Sequence, residues 1–197
     1  MRPLPHPLLP LPPAVIARTP LALLMARVVD GDAAAFDPLA RALQAPGLRL
    51  ADRTLNDRAG AEDVVQVALT RMWTMAARYD PARGSVEGWF RRIVVNLCLD
   101  RRRSLKLVAP LSEADNVASS APDPFEQAVA NDRRARLDGA MAALTPRQRA
   151  ALAMFHGDGL SMAEIADALE TTPKAVEGLL GRARIELRKL IELDSNS

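Results

Sequence analysis

Residues 160–188 read LSMAEIADALETTPKAVEGLLGRARIELR, a stretch that spells two helices joined by a tight turn. Ser161-Met162-Ala163-Glu164 has capping-box syntax: a hydroxyl that accepts from the backbone three residues on, and a carboxylate that reaches back. The short helix it opens, Ser161 to about Leu169, keeps Met162, Ile165, Ala166 and Leu169 on one face. Glu170-Thr171-Thr172 makes the turn. Pro173 then starts a longer helix, running to about Leu193, that turns Val176, Leu179, Leu180 and Ala183 inward. Small Ala166 falls where the two helices should cross, so the pattern is a helix-turn-helix. Its second helix carries Lys174, Arg182, Arg184, Arg188 and Lys189, against Glu177 and Glu186. With its first turn in a major groove, the basic residues further along would meet phosphates. A bundle whose charges are merely solvated is the plainer alternative. Turns of this type often carry glycine where Glu170 stands, so a left-handed glutamate is expected there.

The preceding sequence is also helical. Asp37-Pro38 reads as a cap followed by proline at the first helical position. From Gly60 to Arg78, Val64, Val65, Ala68, Leu69, Met72, Trp73 and Ala76 recur at three- and four-residue steps. Tyr79-Asp80-Pro81-Ala82-Arg83-Gly84 is turn chemistry. Ser85 then caps a long helix with Trp89, Phe90, Ile93, Val94, Leu97 and Cys98 on its apolar side. Arg91, Arg92, Arg101, Arg102, Arg103 and Lys106 crowd that helix and its exit, with Asp100 the acid among them; DNA phosphate is the expected counter-charge. Lys106 to Pro122 lacks periodicity and reads as a flexible linker between two domains. Asp123-Pro124-Phe125-Glu126 and Thr145-Pro146-Arg147-Gln148 repeat the capping syntax beyond it.

Bulk properties exclude several classes. Nearly half of the 197 residues are apolar, rich in alanine and leucine with 4% aromatics, a mixture that favours helices. The net charge of +2 says little by itself. The single cysteine, Cys98, excludes an internal disulfide, and His6 and His156 lie far apart, so neither metal nor cofactor is expected. Cys98 is expected to be an ordinary buried thiol. Leu21 to Val29 is too short to span a membrane, and prolines through the first 13 residues prevent a helical signal core. A cytoplasmic protein with no membrane span, no catalytic residues and no small-molecule substrate is expected.

These motifs together resemble the bacterial sigma factors of the sigma-70 family, in particular the extracytoplasmic-function (ECF) group. Ala61-Glu62-Asp63-Val64-Val65-Gln66 followed by Met72-Trp73 is similar to the family's core-polymerase-binding helix. Tyr79 to Ser85, Trp89-Phe90-Arg91-Arg92-Ile93, Asn96 and Asp100 to Arg103 resemble its −10-recognition and melting segment. Leu144 to Arg149, Gly159 to Ala166 and Arg182-Ala183-Arg184 resemble its −35-recognition domain.

The resemblance implies an all-α fold of two small helical domains: a proline-rich tail over 1–20, region 2 over 21–105, a linker over 106–123 and region 4 over 124–197. It implies three partners: core RNA polymerase, promoter DNA and an anti-sigma factor. Polymerase would meet Glu62, Asp63 and Gln66. The −10 element would meet Arg83, Gly84, Ser85, Arg91, Arg92, Asn96, Arg101, Arg102 and Arg103. The −35 element would meet Ser161, Thr172, Lys174, Ala175, Glu177, Gly178, Arg182 and Arg184. One departure stands out. Many members have Val-Lys-Ser-Arg-Leu in the recognition helix where this chain has Val176-Glu177-Gly178-Leu179-Leu180, which leaves Lys174 and Arg182 to carry the contact. Two other classes remain open: a sigma-like decoy that binds an anti-sigma factor without DNA, and a stand-alone helix-turn-helix regulator.

Overall fold

The computed structural model describes residues 20–108 and 139–194; the proline-rich tail, most of the expected linker and the capping syntax at Asp123 lie outside the described residues. Every regular element among the described residues is helical. The first module comprises α1 (Pro20–Val29), α2 (Phe36–Leu55), α3 (Arg58–Thr74) and α4 (Val86–Val108). The second comprises helical residues 139–143, α5 (Pro146–Leu152), α6 (Met162–Ala168) and α7 (Pro173–Asp194).

Local chemistry sets most boundaries. Asp57 accepts from the Gly60 N–H (2.9 Å) to start α3, and Ser85 accepts from the Gly88 N–H (3.1 Å) to start α4. Complete capping boxes at Thr145/Gln148 and Ser161/Glu164 open α5 and α6. Two expectations shift. Asp37 is not a cap: Asp32 caps a short 3-10 turn over Ala33–Ala35, so α2 begins at Phe36 and Pro38 falls within its first turn. The helix expected to reach Arg78 ends at Thr74, and a 3-10 turn over Ala76–Arg78 follows. At the other end, α4 runs on to Val108, three residues into the expected linker.

The core gathers around Phe90, Met25, Leu39, Leu55 and Met72 in the first module and Met154, Ile165, Leu169 and Leu180 in the second, all fully buried. Their buried apolar residues form one connected cluster, because α2 and α4 pack against α5 and α6. This contact differs from the expectation of two domains joined by a flexible linker alone. Gly157 approaches Arg53 so closely that a Cβ there would collide with the guanidinium.

Inside α2, Gly47 lies against Phe90 of α4: a Cβ built there would lie 2.7 Å from its Cε1. Helix propensity favours alanine over glycine by about 1 kcal/mol. Phe90 is 2% exposed and has nowhere to move, so overpacking outweighs that gain. Gly47→Ala should therefore destabilise the chain by about 1–3 kcal/mol in urea unfolding. A stabilised variant would show that the α2–α4 contact is looser than described.

Candidate nucleic-acid interface

The −10 candidates occupy the loop before α4 and the length of α4 itself. Gly84 holds φ +144°, a conformation that side chains other than glycine's rarely accept, and nothing lies within 4 Å of its would-be Cβ. The Tyr79 hydroxyl donates to the Gly84 carbonyl (3.2 Å) and pins this loop. Burial first, then the charges of Glu87 and Asp80, keep that phenol protonated by raising its pKa. Arg83 is exposed beside it, and Gly84 and Ser85 are half-buried. Phe90 belongs to the core as expected, whereas Trp89 is half-buried against Tyr79, their ring centroids 5.5 Å apart.

Arg92, Arg101, Arg102 and Arg103 of α4 already have partners, of which only Asp100 was legible in the sequence. Arg101 pairs with Asp63 (3.3 Å) and, more distantly, Asp57 (4.0 Å). Arg102 donates to the Leu55 carbonyl at the end of α2, and Arg103 pairs with Asp100 (3.3 Å). Arg92 pairs with Asp167 of the other module, and Asn96 Nδ2 donates to Glu170 Oε1 (3.4 Å). Of the basic residues expected on the −10 element, Arg83 and Arg103 are exposed, while Arg91, Arg92, Arg101 and Arg102 are partly covered.

The polymerase candidates share the outward side of α3. Glu62 pairs with Arg58 one turn back (3.1 Å), Asp63 with Arg101, and Gln66 edges a shallow cleft that also takes in Phe36, Leu69, Thr70 and Trp73. Val67 (44% exposed) and Trp73 (40% exposed) stand open on the same helix. The periodicity placed Trp73 on the apolar stripe and passed over Val67. The usable signal was the other stripe, Asp63-Gln66-Val67-Thr70-Trp73, which mixes polar and apolar groups as a docking face does.

The helix-turn-helix has the expected form. Ile165, Ala166, Leu169, Val176, Leu180 and Ala183 are buried where α6 crosses α7, while Met162 and Leu179 are half-buried. Glu170 takes φ +50°, the left-handed turn expected of it. Ser161 is committed to its capping box, and the Thr172 hydroxyl accepts from the Ala175 N–H (3.2 Å) to start α7. Lys174, Ala175, Glu177, Arg182 and Arg184 are exposed and Gly178 is half-buried. Arg182 folds back across the gap left by Gly178, its guanidinium 3.5 Å from where a Cβ would sit. Arg184 lies over the Phe155 ring (5.9 Å).

Two positions outside the expected set shape this arrangement. Arg149 is 3% exposed; its Nε donates to the Thr54 carbonyl (2.8 Å) and its Nη1 to the Met141 carbonyl (3.0 Å). Burial first, then the neighbouring charge of Arg102, lower its pKa to about 10, so it stays protonated at neutral pH. Its counterparts Thr54 and Met141 carry no side-chain signal for such a role. Cys98 is fully buried, and burial pushes its thiol up to about 12. Thiol reagents should leave the folded chain untouched at mildly alkaline pH and titrate the thiol after denaturation. The sign follows from the raised value: this group's contribution to stability is whole below the ordinary value of 9.0 and is lost as pH rises toward about 12. Rapid labelling of the native protein would contradict its burial.

Comparison with known proteins adds to this geometry. Residues 39–107 match Sigma-70 region 2, and residues 134–187 match the family Sigma-70, region 4. The chain is 36% identical over 172 residues to the ECF RNA polymerase sigma factor SigM of Mycobacterium tuberculosis, covering 85% of this chain and 83% of that protein. It is 33% identical over 174 residues to the ECF RNA polymerase sigma factor SigE of Mycolicibacterium smegmatis, covering 84% of this chain and 66% of the longer relative. The solved structure of CnrH in complex with the cytosolic domain of CnrY superimposes with a TM-score of 0.64 at 28% identity, covering 87% of this chain and 97% of that one. With both regions present in order and relatives of this likeness, the chain belongs to the ECF group of the sigma-70 family.

Proposed function

We propose that the protein binds core RNA polymerase, brings it to promoters with a particular pair of −35 and −10 elements, and assists in opening the DNA. The observation that carries this is the pairing of two modules on one chain: a region-2 match that contains an arginine-lined helix, and a region-4 match that contains an exposed recognition helix. Each binds a different stretch of duplex, and together they fix both position and direction.

The roles follow from chemistry. The outward side of α3, with Glu62, Asp63 and Gln66 beside Val67 and Trp73, offers acids and apolar area to a basic, partly apolar surface of the polymerase. The Arg83–Ser85 loop and Asn96 are suited to hold an unstacked promoter base, and unstacking a step costs a few kcal/mol. The arginines of α4 are suited to strand phosphates. On α7, Lys174 and Arg182 supply the phosphate contacts, and Glu177 can accept from a cytosine amine while repelling phosphate. This reading gives the chain no covalent step of its own and places it in the cytoplasm with its polymerase. No helix among the described residues is long and apolar enough to cross a membrane. CnrH was solved with the cytosolic domain of CnrY, and we propose an anti-sigma partner for this chain as well.

The region-2 match over residues 39–107 leaves a stand-alone regulator with no use for about a third of its chain. The decoy reading draws on one observation, the exposed Glu177 beside Gly178 in the recognition helix. Transcription from genomic fragments by purified core polymerase plus this protein decides between them. Promoter-specific transcripts are expected; their absence from every fragment, with an active core, leaves the decoy.

On a promoter found in this way, Lys174→Ala combined with Arg182→Ala should weaken binding at least tenfold and reduce the salt slope by roughly 2. An unchanged slope would remove both residues from the phosphate contacts. Glu177→Lys should tighten binding at low salt and lose its advantage as salt rises, as footprint titrations would show.

A further inference from the structure

Pro7, Pro10 and Pro13 recur at three-residue steps in the proline-rich stretch that precedes α1, and none of the contacts proposed for polymerase or promoter uses them. A left-handed polyproline helix has three residues per turn, so these prolines would share one of its faces. Leu8 and Leu11 would share a second face, and Leu9 and Pro12 the third. Residues 3–17 contain no Asp, Glu, Lys or Arg, in a chain that is 25% charged. A segment of this kind has few backbone N–H groups to satisfy. It suits aromatic-lined grooves, where its carbonyls accept from side-chain donors.

The shallow cleft beside α3 has those properties. Ala33, Phe36, Gln66, Leu69, Thr70 and Trp73 line it, and none carries a charge. Phe36 and Trp73 meet edge to face with ring centroids 5.0 Å apart, which makes an aromatic wall. Two donors stand there, the Gln66 side-chain amide and the Trp73 indole N–H, neither hydrogen-bonded among the described residues. A basic partner surface matches Glu62 and Asp63 on the same helix but has no counterpart for this uncharged lining. Chain length fits as well. Ala33 lies just beyond the far end of α1, whose ten residues measure roughly 15 Å from Pro20. Ala14 to Thr19, run back along α1 in extended form, cover roughly 19 Å. That brings Pro13 to the rim of the cleft and lays Pro10 and Pro7 across it.

We infer that the stretch Pro7–Pro13 docks in this cleft of its own chain, as a polyproline helix laid against Phe36 and Trp73. Tethering supplies an effective concentration of about 1 mM, so an intrinsic affinity of about 0.1–1 mM keeps the cleft filled roughly half to nine-tenths of the time. The cleft borders the face of α3 proposed for polymerase, so the docked stretch also competes with polymerase for Gln66 and Trp73. The competition rests on that functional reading; the docking does not.

Nuclear magnetic resonance of the isotope-labelled full chain tests the docking. The two tryptophans, Trp73 and Trp89, give two indole N–H signals, assigned with Trp73→Phe. Pro7→Ser, Pro10→Ser and Pro13→Ser together keep length and charge. They should move the Trp73 signal and leave that of Trp89 in place. A synthetic peptide of residues 2–14, added to this triple variant, should return the signal toward its parent position, half-way at about 0.1–1 mM. The same peptide with the three serines should not. From the other side, Thr70→Lys sets a charge at an exposed position of the cleft. The Leu8, Leu9 and Leu11 amide signals should then coincide with those of the free peptide.

A Trp73 signal indifferent to the three serines, or leucine amides that match the free peptide already in the parent, overturns the docking. A Trp73 signal that moves on dilution of the parent shows the cleft taking the stretch of a second copy, and overturns docking within one chain. In equilibrium binding, the triple-serine chain should hold core polymerase about twofold to tenfold more tightly than the parent. Equal affinities with the indole shift present overturn the competition and leave the docking standing. If neither chain binds core polymerase while the indole shift is present, the failure belongs to the functional reading and the docking survives it.

Discussion

The C-terminal end of α2 is where the arrangement of the whole chain is settled. A helix leaves its last carbonyls without intrahelical partners, and their aligned dipoles favour a cation. Here the backbone turns left-handed at Asn56, whose N–H closes on the Asp52 carbonyl. Arg102 of α4 takes the Leu55 carbonyl, and Arg149 of α5 takes Thr54. One guanidinium thus fastens the first module's own helices together, and the other fastens the second module to the first. Arg149 is buried, so withdrawing the carbonyls without water to replace them would strand a charge. Separation of the modules must therefore hydrate Arg149 and the end of α2 in the same movement.

This coupling explains why a chain of two small modules has one connected apolar cluster rather than two. Neither module is large enough to hide all of its apolar surface, and small domains bury a smaller fraction of what they own. Packing α2 and α4 against α5 and α6 covers the remainder. The same packing brings Asp167 and Glu170 onto Arg92 and Asn96, two of the groups proposed for DNA. Apolar packing and the buried Arg149 hold the modules together, with the exposed contacts Arg92–Asp167 and Asn96–Glu170 beside them.

Electrostatics repeats this theme at closer range. Clustered arginines on α4 require counter-charge, and the fold supplies it from three sides: Asp57 at the cap of α3 and Asp63 within it, Asp100 on α4 itself, and Asp167 on α6. The Asp63–Arg101 pair links the face proposed for polymerase with the helix proposed for DNA, so occupation of one changes the charge felt by the other. Around α7 the balance differs, with exposed Lys174 and Arg182 next to Glu177. Arg182 lies over Gly178, its guanidinium 3.5 Å from where a Cβ would sit there.

The sequence by itself determined most of what is written within a few residues of itself: the helical class, the capping boxes at Thr145 and Ser161, the left-handed Glu170, the buried Phe90 and Cys98, and the helix-turn-helix. These follow from periodicity and local hydrogen bonding, whose partners lie three or four positions apart. It misjudged Asp37 because Asp32 competes for the same cap one turn earlier, and it placed Trp73 inside because a helical stripe does not say how wide the buried face is. Tertiary structure alone decided what meets α4. Arg92 and Asp167 are 75 residues apart, Asn96 and Glu170 are 74, and Arg149 finds a backbone carbonyl 95 residues away. A carbonyl carries no residue identity, and a surface acid looks the same whether it faces water or arginine, so no pattern in one sequence could have announced those contacts.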